Sequence, residues 1–174
     1  MKIIKTQIVP LKYSGTLNSN YPLPSYIENG IIVYKLYTDE GIVGYGEPNP
    51  YFVNLNDLKL ASIEILNKLI NLNPIEVLND DFKVLKQNKL NNNKYIPVIA
   101  GVSQAIYDLV GKINEIPSSF LLNNKTNLND KIKAYASGGM IYESTDNNII
   151  IEEANKCIAK GFEVWKMRPP LPFK

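Results

Sequence analysis

At 174 residues, 45% hydrophobic and 21% charged, the chain has the size and composition of one globular domain, or of one domain and part of a second. A net charge of +2 without any basic run argues against nucleic acid or an anionic membrane as partner. The single cysteine, Cys157, excludes a disulfide within this chain and a cysteine-rich zinc site, and the absence of histidine removes His-based triads and His-ligated metals.

The N-terminus "MKIIKTQIVPLKY" is too polar and too alternating for a signal peptide, and its loose alternation over 2–13 predicts a first strand with Pro10 at an edge or end. No segment is expected to reach bilayer-spanning length, so a cytoplasmic location is expected. Residues 14–30, rich in Ser, Asn, Gly and Pro, read as a long loop. "IIVYKLYT" and "IVGYGE", joined by a short turn containing Gly41, predict a hairpin, and with the first strand a three-stranded antiparallel meander.

Helical texture follows. Leu58, Leu60, Ile63, Leu66, Leu69 and Ile70 are spaced for an amphipathic helix with Asn54 or Asn56 as N-cap. Pro74 opens a second helix expected to run to about Lys86, "PVIAGVSQAIYDLVGKIN" a third, and Pro117 a short fourth. From 131 the pattern changes to strand ("KIKAYASGG"), helix ("NNIIIEEANKCIAKG") and strand ("FEVWKMR"), a βαβ unit with parallel strands. Two parallel strands and one helix cannot cover both faces of a sheet or satisfy its edges. The unit is therefore expected to begin a larger parallel sheet: either the chain is truncated or a partner supplies the rest.

Alternation places Phe162, Val164, Lys166 and Arg168 on one face of the last strand and Glu163, Trp165 and Met167 on the other. Trp165 and Met167 suit a layer beneath helices, which leaves Lys166 and Arg168 projecting the opposite way.

Five segments in order resemble the enolase superfamily, in its mandelate racemase/muconate lactonizing enzyme branch: "DEGIVGYGE" with its GxxGxGE pattern, "SQAIYDLVGKIN", "EIPSSFLL", "KAYASGG" and "AKGFEVWKMR". The resemblance implies an α+β capping domain over about 1–125 and the start of a TIM-like (β/α) barrel over 131–174. It implies abstraction of a proton next to a carboxylate, with Mg²⁺ stabilising the enediolate. The metal ligands implied lie on later barrel strands, so no residue here is assigned to the metal.

By the same resemblance Lys166 and Arg168 take catalytic positions at the barrel mouth. Arginine occupies the place of a proton-abstracting lysine, and since guanidinium stays protonated, Arg168 is expected to act electrostatically with Lys166 in support. That pattern favours a sugar-acid dehydratase over a racemase, epimerase or cycloisomerase. Tyr13 just before the 14–30 loop, Tyr21 and Tyr26 within it, and Asn49 and Tyr51 after Glu47 are candidate substrate contacts, and Asp108 is a structural acid. The expected partner is a small carboxylate, an acid sugar by preference, and the expected assembly a homo-oligomer. A non-catalytic capping-fold protein acting in self-association or binding is the alternative from another class.

Overall fold

The structure, a computed structural model, describes residues 1–11, 31–49, 53–87, 89, 91–122, 131–138 and 147–167. Described residues up to 122 belong to one compact unit, and those from 131 to 167 to a second.

The first unit is built on β1 (Ile3–Leu11), β2 (Ile31–Thr38) and β3 (Val43–Gly46), an antiparallel sheet in the order β1-β2-β3. β-Branched and aromatic residues at alternate positions drive this. In β2, Tyr34, Leu36 and Thr38 are buried while Lys35 and Tyr37 lie on the other face. The β2–β3 turn closes at Gly41, whose φ of 82° is left-handed backbone that a glycine enters without Cβ strain. Thr38 Oγ1 stitches the turn, donating to the Ile42 carbonyl and accepting the Ile42 N–H, each at 3.0 Å.

Helix α1 (Leu55–Asn67) starts at Asn54, whose side-chain oxygen accepts the Asp57 N–H at 2.9 Å. Its core stripe is Leu58, Ala61, Ser62, Ile65 and Leu66, followed by Leu69 in the turn beyond. Two residues expected in the core are not: Leu60 and Ile63 are 65% and 42% exposed. Residues 58, 62, 65 and 69 share a face at 3.6 residues per turn, and 60 lies well round the cylinder from them. Ser62 is tolerated in the stripe because it is bonded twice, donating to the Leu58 carbonyl at 2.6 Å and sharing a hydrogen bond with the Tyr34 hydroxyl at 2.5 Å.

The single helix expected from Pro74 to Lys86 is two: α2 (Pro74–Asn79) and α3 (Lys83–Lys86). The break falls at Asp81 and Phe82, with φ of 50° and 56°. Left-handed backbone at a phenylalanine is uncommon; here it turns the ring inward, where Phe82 is buried with its centroid 5.9 Å from that of Tyr107.

Helix α4 (Ile96–Ile113) is the core helix, with Val98, Val102, Ala105, Ile106 and Leu109 buried, and α5 (Ser118–Leu122) follows Pro117. At 18 residues and strongly apolar, α4 has the length of a bilayer-crossing helix, contrary to the expectation that no segment reaches it. Its apolarity has a local cause: half of it is buried against the sheet and α1. The approach to β3 is unusually close. A Cβ on Gly44 would lie 2.4 Å from the Ala105 carbonyl oxygen, and one on Gly46 1.9 Å from that of Gly101. Glycine at both positions of GxGE is therefore what lets helix backbone rest on strand backbone.

A polar ladder completes that contact. Gln104 Oε1 accepts the Glu47 N–H at 3.1 Å, Asp108 Oδ2 accepts the Tyr45 N–H at 2.9 Å, and Lys112 Nζ donates to the Val43 carbonyl at 2.8 Å. Positions 104, 108 and 112 lie on one helix face, and 43, 45 and 47 are alternate residues of an edge segment. The i, i+4, i+8 side chains thus satisfy a strand edge that would otherwise be open to pairing.

In the second unit, β4 (Ala136–Gly138) and β5 (Trp165–Met167) pair in parallel across α6 (Asn147–Ala159). This is the βαβ unit expected, with a shorter first strand, since 131–135 are exposed and irregular. Helix α6 ends in a Schellman turn at Gly161, φ 87°, in which the Gly161 N–H donates to Ile158 at 2.9 Å and the Phe162 N–H to Cys157 at 3.3 Å.

Candidate functional site

Parallel pairing sets Ala136 opposite Trp165, Ser137 opposite Lys166 and Gly138 opposite Met167. A Cβ on Gly138 would fall 2.3 Å from Glu153 Oε1 of α6 and 2.9 Å from Trp165 Nε1, so the Gly138 and Trp165 side of the ribbon is the helix side. The Trp165 indole N–H is shut from solvent there, without an acceptor among the described residues. Alternation then turns Ser137 and Lys166 to the opposite face. The C-terminal ends of parallel strands are where βα units carry their functional groups, and Lys166 stands next to the last residue of β5.

Lys166 is exposed, and its ammonium lies 5.1 Å from the centroid of the Tyr135 ring. Among the described residues it forms no ion pair. Two other lysines of the second unit, Lys133 and Lys156, do, with Glu163 at 3.1 Å and Glu152 at 2.8 Å. Tyr135 was not among the residues the sequence singled out for this face. The signal was present, since 135 alternates with 137, but it becomes readable only once the register sets Ser137 beside Lys166.

Arg168, Tyr13, Tyr21, Tyr26 and Tyr51 lie outside the described residues. Asn49 is exposed just past the Gln104–Glu47 hydrogen bond that ends the edge ladder. Asp108 accepts the Tyr45 backbone N–H and pairs with Lys112, and together with Gly111, Glu115 and Ser118 these two residues line an open surface cleft.

A further cluster of charged groups joins α1 to the segment before α4. Lys89 Nζ lies 2.5 Å from Glu64 Oε1, Tyr95 donates to Glu64 Oε2 at 2.5 Å, and Lys89 Nζ also lies 3.2 Å from the Tyr95 hydroxyl. Hydrogen bonds from Lys89 and then Tyr95 hold the Glu64 carboxyl below its ordinary range, and the Glu64 bond raises Lys89. Mutual pairing accounts for both shifts, and the contacts tie one segment to another.

Among the described residues no three of Asp, Glu and Cys come together as metal ligands. The described residues therefore do not by themselves fit a Mg²⁺ site.

Comparison with known proteins agrees with this architecture. The family pattern described as mandelate racemase / muconate lactonizing enzyme, N-terminal domain, matches residues 21–123. A D-galactonate dehydratase of Pectobacterium atrosepticum is 33% identical over 135 residues, covering 76% of this chain and 33% of the relative. A solved enolase-superfamily member from Polaromonas sp. JS666 superposes with a TM-score of 0.78 at 26% identity, covering 97% of this chain and 44% of that one. The 3,6-anhydro-D-galactonate cycloisomerase of Zobellia galactanivorans, at 22% identity, shares the fold with a TM-score of 0.67 over 96% of this chain and 42% of its own. The chain thus spans about a third of the curated relative and less than half of either solved chain. With its GxGE hairpin on the core helix, its βαβ unit and the family pattern over more than half its length, the chain belongs to the mandelate racemase/muconate lactonizing enzyme branch of the enolase superfamily.

Proposed function

We propose that this chain forms the capping domain and the first two barrel strands of an enzyme that removes the proton next to a carboxylate, and that its reaction is the dehydration of a sugar acid. The observation that carries the reading is Lys166. It is exposed at the C-terminal end of a parallel strand, on the face away from α6, with no carboxylate partner among the described residues.

The chemistry needs such a group. A proton next to a carboxylate is very weakly acidic, and its removal leaves a second negative charge that fixed positive charge must meet. Lys166 supplies one cation, and Arg168, two residues on in sequence, a second whose planar fork suits a carboxylate. Because a guanidinium does not give up its proton at neutral pH, the base in this reading is a group other than Arg168. The likeness to a D-galactonate dehydratase supports an acid sugar as substrate. A cytoplasmic location and assembly as a homo-oligomer belong to the same proposal and rest on composition and the resemblance.

The test is product identification. The protein purified from its own cells, at whatever chain length it has there, is incubated with D-galactonate and with other hexonates. Release of a 2-keto-3-deoxy acid, measured as its semicarbazone, is the expected result. An epimerised acid with no water lost, or no turnover of any hexonate, overturns it.

A further inference from the structure

A lysine on a short exposed strand has four rotatable bonds and is a poor fixed charge unless something holds it. Two kinds of neighbour could do so. A carboxylate would hold the ammonium and cancel its charge; an aromatic ring holds it and leaves the charge available, because the ring quadrupole attracts a cation without neutralising it. In the second unit both arrangements occur. Lys133 and Lys156 are tied to Glu163 and Glu152, whereas the Lys166 ammonium stands 5.1 Å from the Tyr135 ring centroid.

We propose that Tyr135 is a positioning residue: its ring holds the Lys166 ammonium in place, uncancelled, for the carboxylate of a small hydroxy acid. This role rests on the reading of Lys166 as a carboxylate-binding cation, and it adds the group that makes the charge directional. The strand geometry supports it. Ser137 is level with Lys166, and Tyr135 is the residue just before β4, whose first member Ala136 is tied to the neighbouring strand by its N–H to the Val164 carbonyl at 2.9 Å.

The role belongs to the ring face and not to the hydroxyl, which makes it separable from simple packing. Tyr135→Phe keeps the ring; Tyr135→Leu keeps apolar bulk and removes it. Two readouts are taken on the full chain and on Lys166→Ala. The first is the ¹H–¹³C spectrum of the lysine ε-methylenes, assigned to Lys166 by its loss in Lys166→Ala. The second is titration with D-galactonate, followed by the chemical shifts of the same unit.

Expected are an upfield-shifted Lys166 ε-methylene in the wild type and in Tyr135→Phe, returning to the position of a free lysine in Tyr135→Leu. D-Galactonate affinity is expected to be unchanged in Tyr135→Phe, two- to fivefold weaker in Tyr135→Leu and more than tenfold weaker in Lys166→Ala. A Lys166 signal that Tyr135→Leu leaves in place overturns the role of Tyr135. So does wild-type affinity in Tyr135→Leu when Lys166→Ala has lost it. Equal or undetectable binding by the wild type and Lys166→Ala overturns instead the reading of Lys166 on which the role rests, and the methylene shift then still decides whether Tyr135 holds the ammonium.

Discussion

Asp108 on the core helix accepts the backbone N–H of Tyr45 on the edge strand at 2.9 Å, and the same oxygen holds Lys112 at 2.6 Å. One carboxylate oxygen thus joins the helix to the hairpin and also orients the lysine that donates to Val43. Replacing Asp108 by Leu leaves the Tyr45 N–H without its partner and Lys112 without its counter-ion. Because the pair is partly solvated, the cost is expected at about 1–2 kcal/mol. Urea unfolding checks it: the midpoint falls with the slope unchanged. An unaltered midpoint means the ladder adds nothing.

The glycines of the hairpin are not equivalent, and their order of sensitivity tests the close approach of α4 to β3. Gly46→Ala places a methyl 1.9 Å from the Gly101 carbonyl oxygen, backbone against backbone, and should cost about 3 kcal/mol or more. Gly41 has open space around it and only its φ of 82° to protect, so Gly41→Ala should cost about 1–2 kcal/mol. Equal costs in a denaturation series would contradict the packing described.

Tyr34 supplies a pH dependence. Burial pushes its hydroxyl from 10.0 up to about 12, against a smaller opposite effect of Ser62. A group whose folded value is raised contributes stability that is complete below its unfolded value and is lost as pH rises toward the folded one. Between pH 10 and about 12 the folded state should therefore lose about 2–3 kcal/mol through this residue. Tyr34→Phe should remove that part of the alkaline loss. The check is the difference in unfolding free energy between the wild type and Tyr34→Phe, taken at pH 8 and again near pH 11.5; no change in the difference would count against it.

Glu64 acts at the other end of the scale. Its carboxyl is lowered from 4.5 by Lys89 and Tyr95, so its contribution is present above 4.5 and is lost as pH falls through the depressed folded value. Glu64→Gln should flatten this acid-side decline in a thermal-melt series from pH 6 down to pH 3. Parallel wild-type and variant curves would show that the cluster adds no pH dependence.

What was readable in the sequence was what local chemistry decides. Alternation in "IIVYKLYT" sets Tyr34 and Leu36 inward, Gly41 marks its turn, and Pro74 and Pro117 mark helix starts. The break at Asp81 and Phe82 was not readable, because neither a glycine nor a proline announces it and the burial of Phe82 among core residues overrides local preference. The core face of α1 is hidden in the sequence for a related reason: Ser62 sits in it with its hydroxyl bonded both to the Leu58 carbonyl and to Tyr34, which is far away in sequence. In the candidate site, alternation alone set Lys166 opposite to Trp165. Tyr135 needed the register of a second strand, which no single segment contains.

In the proposed reaction Lys166 and Arg168 meet the negative charge that develops when a sugar acid loses its α-proton. The most direct measurement is turnover of D-galactonate in D₂O by the native protein and by Lys166→Ala and Arg168→Ala introduced into its own gene, followed by ¹H NMR at the α-carbon. The expected result is loss of the α-proton signal with formation of a 2-keto-3-deoxy acid, slowed about 10²-fold or more in each variant. Wild-type rates in both variants, or exchange at the α-carbon with water retained in the product, would contradict it.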